Sequence, residues 1–98
     1  MFTVVRTDVF IDWLNGLKDR RAAARIAARI ERLKDGNFGD VEPVGEGVSE
    51  LRIDYGPGYR VYFMQPGRTV ILLLCGGDKR RQAQDIARAK KLAREWKE

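Results

Sequence analysis

Five side chains set the chemistry this sequence can attempt: Glu50, Arg52, Arg60, Tyr62 and Lys79. The first four flank a Gly56-Pro57-Gly58 turn in a stretch that alternates apolar and polar residues. Successive side chains of a strand point to opposite faces. Leu51, Ile53 and Tyr55 therefore share a face, and Glu50, Arg52 and Asp54 share the other. Beyond the turn, Tyr59, Val61 and Phe63 face one way, and Arg60, Tyr62 and Met64 face the other. The expected product is a hairpin with one buried face and one arginine-and-tyrosine face offered to a partner. Such a face suits an anion with an aromatic base attached, which describes RNA. The guanidinium fork binds phosphate bidentately and stays charged, and Tyr62 could stack on a base or position a hydroxyl. If Tyr55 pairs opposite Tyr59, Asp54 lies opposite Arg60 and Arg52 opposite Tyr62. The plainer alternative is an exposed polar face with an Asp54–Arg60 ion pair, worth ~0–1 kcal/mol.

Two further basic clusters accompany this face. Gly76-Gly77-Asp78-Lys79-Arg80-Arg81-Gln82 follows an apolar run and opens a helix. Helix N-terminal amides favour anions, so Lys79, Arg80 and Arg81 are candidate phosphate contacts, with Asp78 as the helix cap. The spacing is not that of a phosphate-binding P-loop. Arg20 begins a second basic segment, in which Arg21, Arg25, Arg29 and Arg32 form a row on roughly one helical face. That row is either a solvated surface with salt bridges to Asp19 and Glu31 or an electrostatic footprint for phosphates, with Arg25 and Arg29 central to it.

Composition narrows the choices. The chain has 98 residues, a net charge of +5, one cysteine and no histidine. Length points to one domain over residues 1–98, and the charge to an acidic partner. Without imidazole, and with a lone Cys75, a zinc-type metal site is not expected and no cofactor is called for. Catalysis would have to use Arg, Lys, Tyr, Asp or Glu. Cys75 ends an apolar strand and is expected to be a buried core residue. No apolar run approaches membrane-spanning length, and no signal-peptide pattern opens the chain. A soluble, cytoplasmic protein with no membrane partner is expected.

The elements that must position these groups follow from periodicity. Residues 2–6 form a short β-branched strand, and Thr7 or Asp8 caps the helix after it. Phe10, Trp13, Leu14 and Leu17 make that helix's apolar stripe. A second helix runs from about Arg20 to Lys34 along Ala23, Ile26, Ala27, Ile30 and Leu33, and Gly36 stops it. Asn37 to Gly47 is expected to be a loop. Strands follow at about 48–55 and 59–64. Val70 to Cys75 is a buried strand that Gly76-Gly77 breaks. The last helix runs from about Lys79 to Trp96, with Ile86, Ala89, Leu92, Ala93 and Trp96 as its apolar positions. The order is β-α-α-β-β-β-α. The expected class is α+β, with a helical hairpin packed on a small antiparallel sheet and a C-terminal helix.

These landmarks resemble one family. Asp12-Trp13-Leu14, Arg29-Ile30-Glu31-Arg32-Leu33, Gly36-Asn37-Phe38-Gly39-Asp40 and Val48-Ser49-Glu50-Leu51-Arg52-Ile53 are similar to the RelE/ParE superfamily of bacterial toxins. So are Gly56-Pro57-Gly58-Tyr59-Arg60-Val61-Tyr62 and Leu74-Cys75-Gly76-Gly77-Asp78-Lys79, with Gln82 and Asp85-Ile86. The pattern is that of the HigB-like "addiction module killer" branch. The resemblance implies a type II toxin neutralised by a co-encoded antitoxin, expected to be a helix-turn-helix protein. It also implies metal-free cleavage of mRNA on the ribosome. RelE carries a tyrosine in its last helix where this sequence has Ile86.

On that resemblance, a ribose 2′-hydroxyl attacks the adjacent phosphorus. A 2′,3′-cyclic phosphate and a 5′-hydroxyl result. Arg52, Arg60 and Lys79 stabilise the phosphorane. Glu50, or a Lys79 whose pKa is lowered by its cationic neighbours, is the candidate proton acceptor. Tyr62, Arg80, Arg81, Arg25 and Arg29 are the candidate RNA contacts. Two other functions fit the same residues: a ParE-like toxin that inhibits DNA gyrase without chemistry, and a basic RNA-binding module.

Overall fold

The structure is a computed structural model that describes residues 1–96. The elements are β1 (Thr3–Arg6), α1 (Asp8–Asn15), α2 (Arg20–Lys34), β2 (Val41–Gly45), β3 (Val48–Ile53), β4 (Tyr59–Gly67), β5 (Val70–Asp78), a 3₁₀ turn (Lys79–Arg81) and α3 (Gln82–Glu95). The five strands form one sheet in the order β1-β5-β4-β3-β2. β1 runs parallel to β5, and the other neighbours are antiparallel. The sheet is thus mixed rather than wholly antiparallel. β1 and its parallel partner β5 are joined through the helical hairpin and β2–β4, a long connection of the kind that parallel strands require.

Helix ends follow local chemistry. Thr7 caps α1, its hydroxyl accepting from the Phe10 amide at 3.1 Å. Asp19 caps α2 through the Arg21 and Ala22 amides. Gly36, at φ +88°, ends α2. The Asn37 amide then donates to Arg32 O and the Gly36 amide to Leu33 O, satisfying carbonyls the helix leaves open. The small residue on the buried stripe of α2 is Ala22 rather than Ala27, which is exposed.

Both faces of the sheet are covered. α1 and α2 pack Phe10, Ile26, Ile30 and Leu33 against Leu51, Ile53, Val61, Phe63, Ile71 and Leu73. α3 covers the opposite face, packing Ala89, Ile86, Leu92 and Trp96 against Val48, Tyr62, Leu72, Leu74 and Cys75. β5 contributes to both clusters, which explains its unbroken apolar sequence. Cys75 is buried, and burial pushes its thiol up to about 12.

Three further expectations are corrected. The segment expected to be a loop over Asn37–Gly47 contains β2. Its Pro43 is tolerated because β2 is an edge strand, and a bulge separates Pro43 from Gly45. The hairpin register pairs Ile53 with Tyr59, Arg52 with Arg60 and Glu50 with Tyr62. Residues 54–58 form the connection, so the strands pair two residues closer to the start than Tyr55–Tyr59 pairing would require. A two-residue slip leaves every side chain on its expected face but changes every partner. Finally, Gly76 and Gly77 do not end β5; they pair with Val61 and Arg60. Their missing side chains make room for neighbours. A Cβ on Gly76 would lie 2.6 Å from Trp13 Cδ2, and one on Gly77 would lie 2.7 Å from Asp85 Cγ.

Candidate functional site

The β3–β4 turn, the facing ends of the two strands and the start of the 3₁₀ turn enclose a shallow cleft of about 390 Å³. Arg52, Arg60 and Lys79 line it together with Asp40 and Asp54. Backbone pairing brings them together. The Lys79 amide donates to Gly58 O at 3.0 Å, fastening the end of β5 to the β3–β4 turn. Gly58, at φ +82°, holds a left-handed conformation in which the chain passes close to Arg60 Nη1 and Lys79 Cβ. A larger depression of about 590 Å³ runs beside β1 and is lined by Arg6, Glu31 and Lys34.

The floor of the site is a buried polar network. Glu50 is only 2% exposed. Its Oε2 accepts from Gln82 Nε2 at 2.7 Å and from the Tyr62 hydroxyl at 3.1 Å. Its Oε1 lies 3.7 Å from Arg60 Nε and 4.0 Å from Arg52 Nε. Arg60 Nη1 also donates to its neighbour's carbonyl, Tyr59 O, at 3.1 Å. Arg52 has a second layer of counterions, Glu42 at 3.1 Å and Asp40 at 3.4 Å. Burial pulls the Arg52 guanidinium down, but Glu42, Asp40 and Glu50 outweigh it and hold the group above its ordinary value. Burial and the adjacent Glu50 carboxylate raise the Tyr62 phenol, which stays protonated and donates.

This geometry changes several expected roles. Tyr62 has no exposed surface. The open arginine-and-tyrosine face is roofed by α3, so Tyr62 is not available to stack on a base. Glu50 is likewise enclosed and committed to four side chains, which does not suit a proton acceptor reached by substrate. Arg60 pairs with Glu50 in place of Asp54. Arg29 turns inward: its Nη1 donates to Arg52 O at 2.6 Å and its Nη2 to Phe38 O at 3.3 Å. Burial, then Arg32, lowers its guanidinium against the pull of Asp40. Arg29 therefore braces the strand that carries Arg52.

The remaining basic candidates lie around the cleft. Arg25 is exposed and places its guanidinium 4.7 Å from the Tyr55 ring centroid. Arg80 is exposed and binds Asp78, with Nη2 to Oδ2 at 2.9 Å. That hydrogen bond holds the Asp78 carboxyl below its usual range. Arg81 lines a separate depression of about 200 Å³, with Trp13, Asp85 and Arg88. Among the described residues, no three Cys, Asp or Glu side chains are grouped to hold a metal ion.

Gln82 and Asp85 were not among the expected site residues, although the sequence carries a signal for both. Gln82 shares a helical line with Ile86, Ala89, Ala93 and Trp96, and Asp85 shares one with Ala89, Leu92 and Trp96. A polar side chain on the apolar stripe of a helix must find a partner inside. Gln82 finds Glu50. Asp85 is 7% exposed, and its Oδ2 has no hydrogen-bond partner among the described residues. Burial raises its carboxyl above the ordinary range despite the opposing pull of Arg81 and Arg88.

Comparison with known proteins agrees with this architecture. The family described as "Phage derived protein Gp49-like (DUF891)" matches residues 12–97. A Haemophilus influenzae protein described only as "Uncharacterized protein" is 54% identical over 89 residues, covering 91% of this chain and 90% of its own. Among solved structures, a double arginine-to-alanine variant of E. coli toxin RelE in the free state superposes with a TM-score of 0.70. The superposition covers 97% of this chain and 98% of that one, at 11% identity. At that identity the likeness concerns the fold. With the family match spanning nearly the whole sequence, the chain belongs to the phage-derived Gp49-like family, and its fold is RelE-like.

Proposed function

We propose that this protein is the toxin of a type II toxin–antitoxin system and acts as a metal-independent mRNA endonuclease on the ribosome. The supporting observation is the convergence of Arg52, Arg60 and Lys79 in one cleft at the junction of β3, β4 and the start of the 3₁₀ turn. A phosphodiester entering the cleft meets three cations, with Asp40 and Asp54 beside them. Arg60 and Arg52 neutralise the non-bridging oxygens as the ribose 2′-hydroxyl attacks phosphorus and negative charge builds in the phosphorane. The 2′-hydroxyl gives up its proton to solvent water, the phosphorus–5′-oxygen bond breaks and the leaving 5′-oxygen takes up a proton, leaving a 2′,3′-cyclic phosphate and a 5′-hydroxyl. Lys79 is exposed at the rim, where its ammonium can follow the charge on the leaving oxygen. Glu50 acts from beneath as the counterion of both arginines. With few acid–base groups of its own, the protein relies on the ribosome to fold the mRNA into an in-line geometry. Arg25, Arg80 and Arg81 supply outlying contacts to RNA phosphates. The partners are mRNA, the ribosome and a co-encoded antitoxin, expected to be a helix-turn-helix protein in the cytoplasm.

Inducible expression with primer extension on cellular mRNA tests this function. New 5′ ends should appear within translated messages, and cleavage in an EDTA-treated assay should continue wherever the ribosome remains intact. The 3′ ends should resist ligation until the phosphate is removed. Free 3′-hydroxyl ends would refute the mechanism. Intact mRNA with blocked replication would instead favour gyrase inhibition.

A further inference from the structure

Two guanidinium groups in the cleft share one buried carboxylate, Glu50, and that carboxylate is held from α3. Arg52 and Arg60 are directly opposite on adjacent strands, a position in which like charges repel. Both Nε atoms are buried, and neither has a hydrogen-bond partner among the described residues. Arg60 Nε faces Glu50 Oε1 at 3.7 Å, and Arg52 Nε lies between Asp40 Oδ1 at 3.4 Å and the same Glu50 Oε1 at 4.0 Å. The second oxygen of Glu50 is gripped from the far side by Gln82 Nε2 at 2.7 Å, the shorter of its two hydrogen bonds. Gln82 is the first residue of α3.

We propose that Gln82 is a positioning residue that holds Glu50 so that its free oxygen lies between Arg52 and Arg60, fixing the spacing of the two guanidinium groups. Its catalytic consequence rests on the endonuclease function above, whereas the coupling is a property of the folded chain. The terminal torsion of a glutamate is broad. With Tyr62 as its sole donor, the carboxylate is free to turn about that torsion. Turning carries Oε1 towards one arginine and away from the other, and the less neutralised pair moves apart. A displacement on this scale at a reacting centre costs up to about 10²-fold in rate. The amide is the suitable group here because it donates without adding charge. A carboxylate in its place would meet Glu50 at hydrogen-bond distance, and one of the two would take up a proton.

Two variants test the assignment. Gln82→Met keeps the length of the side chain and removes the donor. Gln82→Glu keeps the shape and makes the contact depend on pH. Melting curves establish that each is folded, NMR reads the Nε–H groups of Arg52 and Arg60, and single-turnover cleavage of ribosome-bound mRNA is followed across pH. In Gln82→Met both Nε–H signals should shift and exchange faster with solvent, and the rate should fall by about 10- to 10²-fold. Gln82→Glu should be impaired at neutral pH and recover as the pH falls, unlike the parent. Variants that match the parent in Nε–H signals, rate and pH profile would overturn the proposal. If the parent cleaves no RNA but its Nε–H signals respond to Gln82→Met, the coupling stands and the endonuclease function falls. If the parent cleaves and neither signals nor rate respond, the coupling alone falls.

Discussion

Arg52 stands directly opposite Arg60 in the β3–β4 ladder, and Glu50 Oε1 lies within 4.0 Å of both Nε atoms. An isolated pair of facing arginines would weaken the hairpin. Here the repulsion is offset by Glu50 from within and by Asp40 and Glu42 around Arg52. The arrangement leaves cationic groups along one cleft, in place before an anion arrives. Preorganised charge of this kind stabilises a transition state without reorganisation at the moment of reaction.

Arg60→Ala should abolish growth arrest while leaving the protein folded. Loss of one charge-stabilising contact typically lowers a rate by ~10²–10³. Glu50 retains Gln82, Tyr62 and Arg52 as partners, so the network survives in part. Growth after induction, paired with a thermal melt of the purified variant, checks this. Full toxicity in Arg60→Ala would remove Arg60 from the mechanism.

Tyr62→Phe should act on stability. The ring stays in its packed place beneath α3, but a buried carboxylate loses one of its two hydrogen-bond donors. Leaving such a group under-satisfied costs about 1–3 kcal/mol. Urea unfolding should show a lower midpoint with an unchanged slope. A midpoint equal to the parent's would mean that the Tyr62–Glu50 bond contributes nothing.

Gly77→Ala should destabilise the fold because the new methyl would meet Asp85, whose Cγ would be 2.7 Å from it. Overpacking of this kind costs about 1–3 kcal/mol. The same substitution should be far milder in an Asp85→Ala background, which empties the space. A double-mutant cycle measures that coupling. Strict additivity would show that the collision with Asp85 is not the cause.

Asp85→Asn should gain stability relative to the parent as pH rises. Burial raises the Asp85 carboxyl above its unfolded value of 3.8. The folded state therefore binds this proton more tightly than the unfolded chain does. That contribution is fully present below pH 3.8 and is lost as pH rises through the folded pKa. Asparagine does not titrate, so the melting-temperature difference, variant minus parent, should be larger at neutral pH than in acid. A difference that is flat or shrinks with pH would contradict the burial of a charged Asp85.

The local elements were readable from residue order because their causes are local. Thr7 marks the start of α1, Gly36 marks the end of α2, and the apolar spacing of α2 identifies Ile26, Ile30 and Leu33 on its buried stripe. The side-chain alternation in β3 and β4 correctly separated the two faces of the hairpin, since the period of a strand is a property of the backbone. The same alternation could not set register: Tyr55–Tyr59 and Ile53–Tyr59 pairing satisfy it equally, and the conformation of residues 54–58 selects the second. β2 escaped notice because glycines and Pro43 give an edge strand the composition of a loop. The roof over Tyr62 and Glu50 depends on where α3 lands, 20 or more positions later in the chain, a long-range packing choice that no local window contains. Residue types supplied the cations, the missing imidazole and the acidic counterions. Their assembly around a single buried glutamate required the strand register and the docking of α3, which Gly77 permits by leaving room for Asp85, because each brings into contact groups that are distant in sequence.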